Sequence, residues 1–253
     1  MNPIQPAEQA SWVDPPAALR LQLETVHLWR VGLDRPSSDR ERLWFYLSED
    51  ERQRAGRFYF QRDQDKFIVS RGALREILSR YLGGLPLELR FEYGEQGKPA
   101  LSGDRAARSV RFNLSHSADL AMVGVTLDRE IGVDLEQIVE RRAEERIARR
   151  FFSQRELRDF VSLPEEERKE GFFRCWTRKE AYIKARGEGL TLPLDQFDVS
   201  LRSGEPVALL ESRVDPAEAE KLTLIHVDLG DRYIGAVAVI GRVNEVTYWD
   251  WAI

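Results

Sequence analysis

One aromatic, one acidic and one basic side chain form a row with the types and spacing to do chemistry. Trp176, Glu180 and Lys184 are separated by steps of four residues, which return to nearly the same side of a helix. Gly187 and Gly189 follow the row, and glycine there is typical of a helix end. Glu before Lys at this spacing is also the favoured surface ion pair, worth only about 0.2–0.5 kcal/mol, so the row alone does not establish a site.

A second acidic segment favours a functional site. Ile131–Glu136 is typical of a buried strand, whose alternation places Asp134 and Glu136 on one side. Two acids in an apolar strand repel each other unless a cation lies between them, although they could also cap the strand or form salt bridges. With Glu180 they supply three carboxylates, which suit a hard divalent cation, and we predict Mg²⁺. Zinc and copper fit poorly, because clustered Cys and His are absent from the sequence.

Cations and hydroxyl groups elsewhere suit a substrate that carries several phosphates. These groups are Lys98, the Ser115-His116 pair within Asn113–Ser117, and Lys184. A metal held by carboxylates and flanked by Lys and His is the general equipment for phosphoryl transfer. A lone histidine is more often structural, and that alternative applies to His116.

The composition excludes several classes of partner. The chain has 253 residues and a formal net charge of −5, whereas a general nucleic-acid binder needs excess Lys and Arg to displace counterions from phosphates. No apolar run approaches the roughly 18 residues that span a bilayer. Residues 1–18 lack the basic and then apolar order of a signal peptide. We therefore expect a cytoplasmic protein without nucleic-acid or membrane partners.

The single cysteine, Cys175, excludes an internal disulfide and a multi-cysteine metal site, as expected in a reducing compartment. Cys175 could pair with His116 as a nucleophile. Its place beside Trp176 in a helical pattern is more typical of a small buried apolar group.

The order of elements predicts an α+β fold with two pseudo-symmetric halves, each a small antiparallel sheet with packed helices, and a ligand cleft between them. We expect a flexible lead-in at 1–18, an N-terminal half at 19–128 and a C-terminal half at 129–253 that carries the metal site. Strands are predicted at Leu23–Val31, Leu87–Tyr93, Val110–Ser115, Leu120–Leu127, Gly132–Glu136, Phe197–Leu201, Val207–Glu211, Leu222–Val227 and Tyr233–Val239. Helices are predicted from Ser48, after Asp63, and at Ala143–Phe152, Ser153–Val161 and Glu165–Arg186.

Several short motifs occur in a specific order and separation. They are Gly97-Lys-Pro99, Asn113-Leu-Ser-His-Ser117, Gly132-Val-Asp-Leu-Glu136, Phe151-Phe-Ser153, Trp176-x-x-Lys-Glu-Ala-x-x-Lys184 and Gly189-Leu-x-Leu-Pro-Leu-x-x-Phe197. Together they resemble the 4′-phosphopantetheinyl transferases of the surfactin-synthetase type. The resemblance covers Arg57 to Phe197, and the combination is far more specific than any one motif.

This resemblance implies a monomer that binds coenzyme A and Mg²⁺ in the cleft. Such an enzyme moves the 4′-phosphopantetheine arm to a serine of an apo acyl or peptidyl carrier protein and releases adenosine 3′,5′-bisphosphate. By motif position, the metal ligands would be Asp134, Glu136 and Glu180. The residues that bind coenzyme A would be Lys98, Ser115, His116, Lys184, Arg54 and Lys66. Glu180, Lys184 and His116 would be catalytic, with either Glu180 or a bound water as the general base.

Alternatives stay open at this point. A coenzyme A or nucleotide-binding module without turnover, or a metal-dependent phosphatase, would use similar residues. The carrier could belong to fatty-acid, polyketide, nonribosomal-peptide or aminoadipate metabolism, and acyl-coenzyme A could also be a donor. The segment Ile138–Phe152 could meet an acidic carrier helix or only water. Phe67 is bulky where the family pattern favours a small polar contact, and Trp249 and Trp251 could cover an exposed sheet.

Overall fold

The computed structural model describes residues 11–139 and 144–252, and the elements below belong to these ranges. The strands are β1 Thr25–Gly32, β2 Arg90–Tyr93, β3 Pro99–Ser102, β4 Val110–Ser117, β5 Leu120–Leu127, β6 Ile131–Gln137, β7 Phe197–Val199, β8 Leu209–Ser212, β9 Leu222–Asp228, β10 Tyr233–Ile240 and β11 Glu245–Asp250. The helices are α1 Ser37–Tyr46, α2 Glu49–Ala55, α3 Gln61–Leu82, α4 Arg105–Ser109, α5 Glu144–Phe151, α6 Gln154–Val161, α7 Glu165–Arg186 and α8 Glu218–Lys221.

Two sheets form the centre of the molecule. The first has the strand order β11-β1-β5-β4 and the second β6-β10-β9, while β2–β3 and β7–β8 are two-stranded ribbons. Apolar side chains of both sheets, among them Leu28, Met122, Val133 and Val237, form one core between them. Separate cores lie under α3 in the first half and under α7 in the second. The predicted α+β class is confirmed.

The last strand returns to the first sheet. β11 pairs parallel with β1, with Thr25 opposite Glu245, whereas β1 and β5 are antiparallel. Trp251, just after β11, is 4% exposed and belongs to the core of the first half. We expected a purely antiparallel sheet in the first half, but its β1–β11 pair is parallel. Strand β11 lies within residues 129–253, which were predicted to form the C-terminal half, and it completes the sheet of the first half.

Local sequence explains most of the remaining agreement and disagreement with the predicted elements. α6 begins after Ser153, whose backbone amide donates to the Glu156 carboxylate at 2.8 Å, as the capping box predicts. The predicted strand Leu87–Tyr93 begins as a 3₁₀ turn over Pro86–Glu88, because proline favours a turn start and cannot donate to a ladder. Helices α1, α4 and α8 and strands β3 and β11 are absent from the predictions.

Three predicted segments extend beyond the described residues. Residues 1–10 of the lead-in and Ala143 of the predicted helix Ala143–Phe152 lie outside them, as do residues 140–143 of the proposed carrier surface. Within the lead-in, Val13 pairs with Trp249 of β11, so the chain is held against the sheet there. Across the two described ranges, no helix combines the length and the apolar character needed to cross a membrane.

Candidate functional site

Alternating polar residues of β4 form the seam with β6. The Asn113 side-chain oxygen accepts from the Val133 amide at 2.9 Å. The Ser117 hydroxyl donates to Glu136 at 2.9 Å and accepts from the Gln137 amide at 3.1 Å. Because side chains alternate along a strand, the motif turns its asparagine and serines toward the neighbouring sheet.

Asp134 is the centre of the site. It is 5% exposed, and its Oδ1 accepts from the Lys184 ammonium at 2.6 Å and from the Ser115 hydroxyl at 3.0 Å. Lys184 also donates to the Ser115 oxygen at 3.1 Å. Burial raises the pKa of Asp134, while the Lys184 ammonium acts in the opposite direction. Its Oδ2 is buried and has no hydrogen-bond partner within residues 11–139 and 144–252.

Gly132 in β6 allows helix α7, which carries Glu180 and Lys184, to pack directly against that strand. A Cβ on Gly132 would lie 2.0 Å from the Ala181 carbonyl oxygen and 2.3 Å from the Ala185 amide nitrogen. Only a residue without a side chain permits this approach of α7 to β6. The close approach is what allows Lys184, on α7, to reach Asp134.

Glu180 and Glu136 both interact electrostatically with Asp134. Burial raises the pKa of Glu180, and the negative charges of Asp134 and Glu136 raise it further, while Lys184 lowers it. The predicted trio therefore shares one electrostatic environment. As the side chains stand in the described ranges, no three His, Cys, Asp or Glu residues form a group able to hold a metal ion.

His116 points to the face of β4 opposite Ser115 and Ser117. Loss of surrounding water lowers its pKa, and the ammonium groups of Lys184 and Lys66 lower it further. These effects favour the neutral form of the imidazole. Lys66 itself binds Asp119, in the turn after β4, at 2.9 Å.

The other predicted coenzyme A contacts line separate cavities. Arg54 lies 5.4 Å from the centre of the Phe67 ring, in a cavity of about 650 Å³ that Arg57 and Tyr93 also line. Lys98 lines a cavity of about 430 Å³ that Tyr93 shares.

The ammonium of Lys98 donates to Glu130 at 2.8 Å and to the Ala185 carbonyl at 3.3 Å. Lys98 therefore lies at the carboxyl end of α7. Lys66 faces a third cavity, of about 350 Å³. The structure thus joins Ser115, Asp134 and Lys184 directly and distributes Lys98, Arg54 and Lys66 around them.

Two residues of α7, Cys175 and Trp176, have structural roles. Cys175 is fully buried, and burial raises the pKa of its thiol, so it is unsuited to act as a nucleophile with His116. The ring of Trp176 lies 5.8 Å from Phe151 and stacks on Phe172 at 6.1 Å. Trp176 therefore packs one turn before Glu180 and helps to hold the helix.

Sequence reasoning assigned no role to Asn113, Ser117 or Gly132. Asn113, Ser115 and Ser117 recur at every second position of β4, and this alternation could have indicated roles for Asn113 and Ser117. For Gly132, a glycine beside two acids in a buried strand indicates that another backbone segment approaches closely. The sequence does not show which element approaches.

Comparison with protein families gives two adjoining matches. Residues 130–238 match the model described as the 4′-phosphopantetheinyl transferase superfamily. Residues 35–127 match the model described as 4′-phosphopantetheinyl transferase, N-terminal. The two matches together cover most of the chain, and they meet at the turn before β6.

Two individual 4′-phosphopantetheinyl transferases are similar to the chain over most of its length. The chain is 41% identical over 244 residues to the 4′-phosphopantetheinyl transferase HetI of Nostoc sp., covering 96% of this chain and 99% of the relative. It is 31% identical over 186 residues to the 4′-phosphopantetheinyl transferase Sfp of Bacillus subtilis, covering 73% and 80%. Among solved structures, the holo-[acyl-carrier-protein] synthase of Thermotoga maritima is 23% identical with a TM-score of 0.33, covering 45% of this chain and 63% of that one.

Proposed function

The chain belongs to the 4′-phosphopantetheinyl transferase superfamily and moves the phosphopantetheine of coenzyme A to a carrier-protein serine, and we propose that it does so with Mg²⁺ held by Asp134, Glu136 and Glu180. The observation that carries this proposal is the environment of Asp134. Its Oδ2 is buried without a hydrogen-bond partner in the described ranges, beside two further carboxylates. A buried carboxylate oxygen of this kind costs free energy unless a cation or donor reaches it.

The donor set fits the ion. Carboxylate oxygens are the ligands that Mg²⁺ prefers, and it commonly keeps water and substrate phosphate oxygens beside one or two of them. Three carboxylates with one ammonium leave negative charge to be neutralised. When bound, the ion would neutralise charge on the pyrophosphate of coenzyme A.

The residues of this chain then divide the work. Lys184 would contact the same pyrophosphate, and Ser115, His116 and Lys98 would face the 3′-phosphate and its neighbours. Arg54 and Lys66 would bind the nucleotide from the first half. These assignments follow motif position and the placement of basic groups around the seam.

Transfer makes one bond and breaks another. The carrier serine oxygen attacks the phosphorus that bears the pantetheine, and the pyrophosphate P–O bond breaks to release adenosine 3′,5′-bisphosphate. Glu180, or a water that it orients, takes the serine proton. We assign the reaction to a monomer in the cytoplasm, in keeping with the single cysteine and the family resemblance.

The experiment is mass spectrometry of intact apo carrier proteins. Fatty-acid, polyketide, nonribosomal-peptide and aminoadipate carriers are each incubated with the protein, coenzyme A and Mg²⁺. One or more should gain the mass of phosphopantetheine, and a chelator should prevent the gain. No gain on any carrier would contradict the transfer, and an undiminished gain with chelator would contradict the metal.

The variant Glu180→Gln should abolish transfer while the fold stays intact, because the amide keeps the size of the side chain but neither binds a divalent cation well nor accepts the proton. Glu166→Gln, an exposed residue in the first turn of the same helix, is the matched control and should keep full activity. Circular dichroism checks the fold. A fully active Glu180→Gln would remove this residue from the site.

A further inference from the structure

A buried ion pair on another side of α7, about 100° around the helix from Glu180, has no part in the chemistry described above. Lys179 and Glu156 are 0% and 1% exposed, and the Lys179 ammonium donates to Glu156 Oε1 at 2.6 Å. The same ammonium donates to the Phe197 carbonyl at 2.7 Å and lies 4.1 Å from the centre of that ring. Lys179 therefore joins α7 to both α6 and β7.

Glu156 is held as firmly as its partner. Oε1 also accepts from the Val199 amide, and Oε2 accepts from the Ser153 amide, both at 2.8 Å. The Ser153 hydroxyl accepts in turn from the Glu156 amide at 3.1 Å. A helix-capping residue thus doubles as the acceptor that fixes the neighbouring helix.

Burying two charges is a poor way to gain stability. Their loss of hydration opposes their attraction, and apolar residues of similar size often stabilise a protein equally well. A fully hydrogen-bonded pair does impose one arrangement on the elements that it joins. The question is therefore which arrangement this pair imposes.

The relevant arrangement is the rotation of α7 about its axis, because Glu180 directly follows Lys179. Glu180 is about 100° further around α7 from Lys179, and Lys184 lies one turn beyond it. Side-chain tips lie about 5–6 Å from a helix axis, so a rotation of about 20° would move them by about 2 Å. A misplacement of about 1 Å can already cost about 100-fold in rate.

Contacts on both sides of α7 oppose such a rotation. The Gly132 backbone holds the side that faces β6, where a Cβ would lie 2.0 Å from the Ala181 oxygen. On the other side, Arg174 and Arg178 donate to the carbonyls of Leu201 and Ser200 at 2.8 and 2.5 Å. Lys179 is the fully buried member of this second set.

We propose that the Lys179–Glu156 pair is a positioning pair, which fixes the rotation of α7 and thereby aims Glu180 and Lys184 at Asp134. This inference rests on the proposed metal and transfer roles of those residues. It assigns to the pair no contact with substrate or metal.

The test replaces both charges at once. The double variant Glu156→Leu/Lys179→Met removes the pair and leaves apolar side chains of similar size. We expect it to fold, with kcat for carrier modification at least 10-fold lower and with weaker binding of Mn²⁺, used as the metal probe in electron paramagnetic resonance. A folded double variant with kcat and Mn²⁺ affinity within twofold of wild type would overturn the proposal.

A second variant covers the case in which the double variant does not fold. Glu156→Gln keeps the side-chain size and can still accept from the Ser153 amide, and the same two readouts apply to it with the same criteria. Asp250→Asn is the control, since Asp250 binds Arg30 at 2.7 and 2.8 Å in the first sheet and, within the described residues, has no contact with the Lys179–Glu156 network. It should lower the melting temperature without changing kcat or Mn²⁺ affinity.

The outcomes separate this inference from the proposed function. If the wild-type protein modifies no carrier, the transfer proposal fails, and Mn²⁺ affinity alone then tests the pair. Lower affinity in a folded pair variant would support positioning, and equal affinity would overturn it.

Discussion

Asp134 is the buried carboxylate at the centre of the site. It is buried among apolar strands, and a carboxylate in such a place needs charge and hydrogen bonds around it. Lys184 and Ser115 supply both to one oxygen, while the second oxygen has no partner in the described ranges. One ammonium therefore balances only part of the negative charge that Asp134 shares with Glu136 and Glu180.

His27 shows the opposite solution for a buried titratable group. The ring is 4% exposed, and burial lowers its pKa to about 4. The Tyr81 hydroxyl accepts from the Trp29 indole at 2.8 Å and lies 2.9 Å from His27 Nδ1. Because that oxygen already accepts a hydrogen bond from Trp29, the Tyr81 hydroxyl is best placed to donate its own hydrogen to Nδ1, which requires a neutral imidazole.

This predicts a pH dependence of stability. In the unfolded chain the pKa of His27 returns to about 6.5, so the unfolded state binds the extra proton between about pH 6.5 and 4. The free energy of unfolding should fall as pH is lowered through this range, by up to about 1.4 kcal/mol per pH unit from this residue. Denaturant unfolding measures it, with His27→Gln giving a shallower dependence. Identical pH dependence in both proteins would contradict the assignment.

At the residue scale, sequence reasoning succeeded where local periodicity decides the outcome. Alternation placed Asp134 and Glu136 on one side, and helical spacing placed Glu180 and Lys184 on one face. It did not reveal that Ser115 binds Asp134, or that Ser117 binds Glu136, because those contacts join strands of different sheets. The contacts of Ser115, His116 and Lys98 with phosphates stay predictions.

Helix α7 shows how an element carries the site. Its observed bounds, Glu165–Arg186, match the predicted ones, because helical periodicity continues until Gly187 closes the helix at a φ of 73°. Its position on β6 depends on a residue outside the helix, Gly132, and on anchors behind it. The helix was therefore predictable as an element but not in its placement.

Replacing Gly132 by alanine should displace α7. The new Cβ would lie 2.0 Å from the Ala181 oxygen, so backbone must move, at an expected cost of about 1–3 kcal/mol in stability. Carrier modification should fall with it, because Glu180 and Lys184 move away from Asp134. Thermal unfolding and the transfer assay measure the two effects.

Gly56→Ala is the control for this substitution. The nearest atom to a Cβ there is 3.6 Å away and φ is −66°, so stability should change by less than about 0.5 kcal/mol. If Gly132→Ala were as stable and as active as this control, the close approach would have no functional importance.

Sequence reasoning missed strands β3 and β11 for two different reasons. Strand β11 contains two β-branched and two aromatic residues, but its partner β1 lies about 220 positions earlier in the chain. Strand β3 begins at Pro99 and is only four residues long, so turn-forming residues dominated its sequence pattern. Nothing within either segment specifies the strand with which it pairs.

The last strand, β11, joins the two halves of the molecule. β11 lies beside β1, and Arg30 binds Asp250 at 2.7 Å across that pair. Trp251 then fills the core of the first half, and the guanidinium of Arg35 lies 5.1 Å from its ring. The two halves are thus joined by the β4–β6 seam, by the core between the sheets and by this strand.

Trp251→Ala should therefore destabilise the first half although the residue is near the end of the chain. Loss of a buried tryptophan typically costs about 3–5 kcal/mol, which denaturant unfolding would detect. Val161→Ala, at a residue 43% exposed, should change stability by less than about 0.5 kcal/mol. A Trp251→Ala protein as stable as that control would show that β11 does not hold the sheet.

The most direct test of the account is a crystal structure of the protein with Mn²⁺ and coenzyme A, using the anomalous signal of the metal. We expect one peak with oxygen atoms of Asp134, Glu136 and Glu180 at coordination distances of about 2–2.5 Å. A peak bound elsewhere, or one that leaves Glu180 more than about 10 Å away, far beyond any coordination shell, would contradict it.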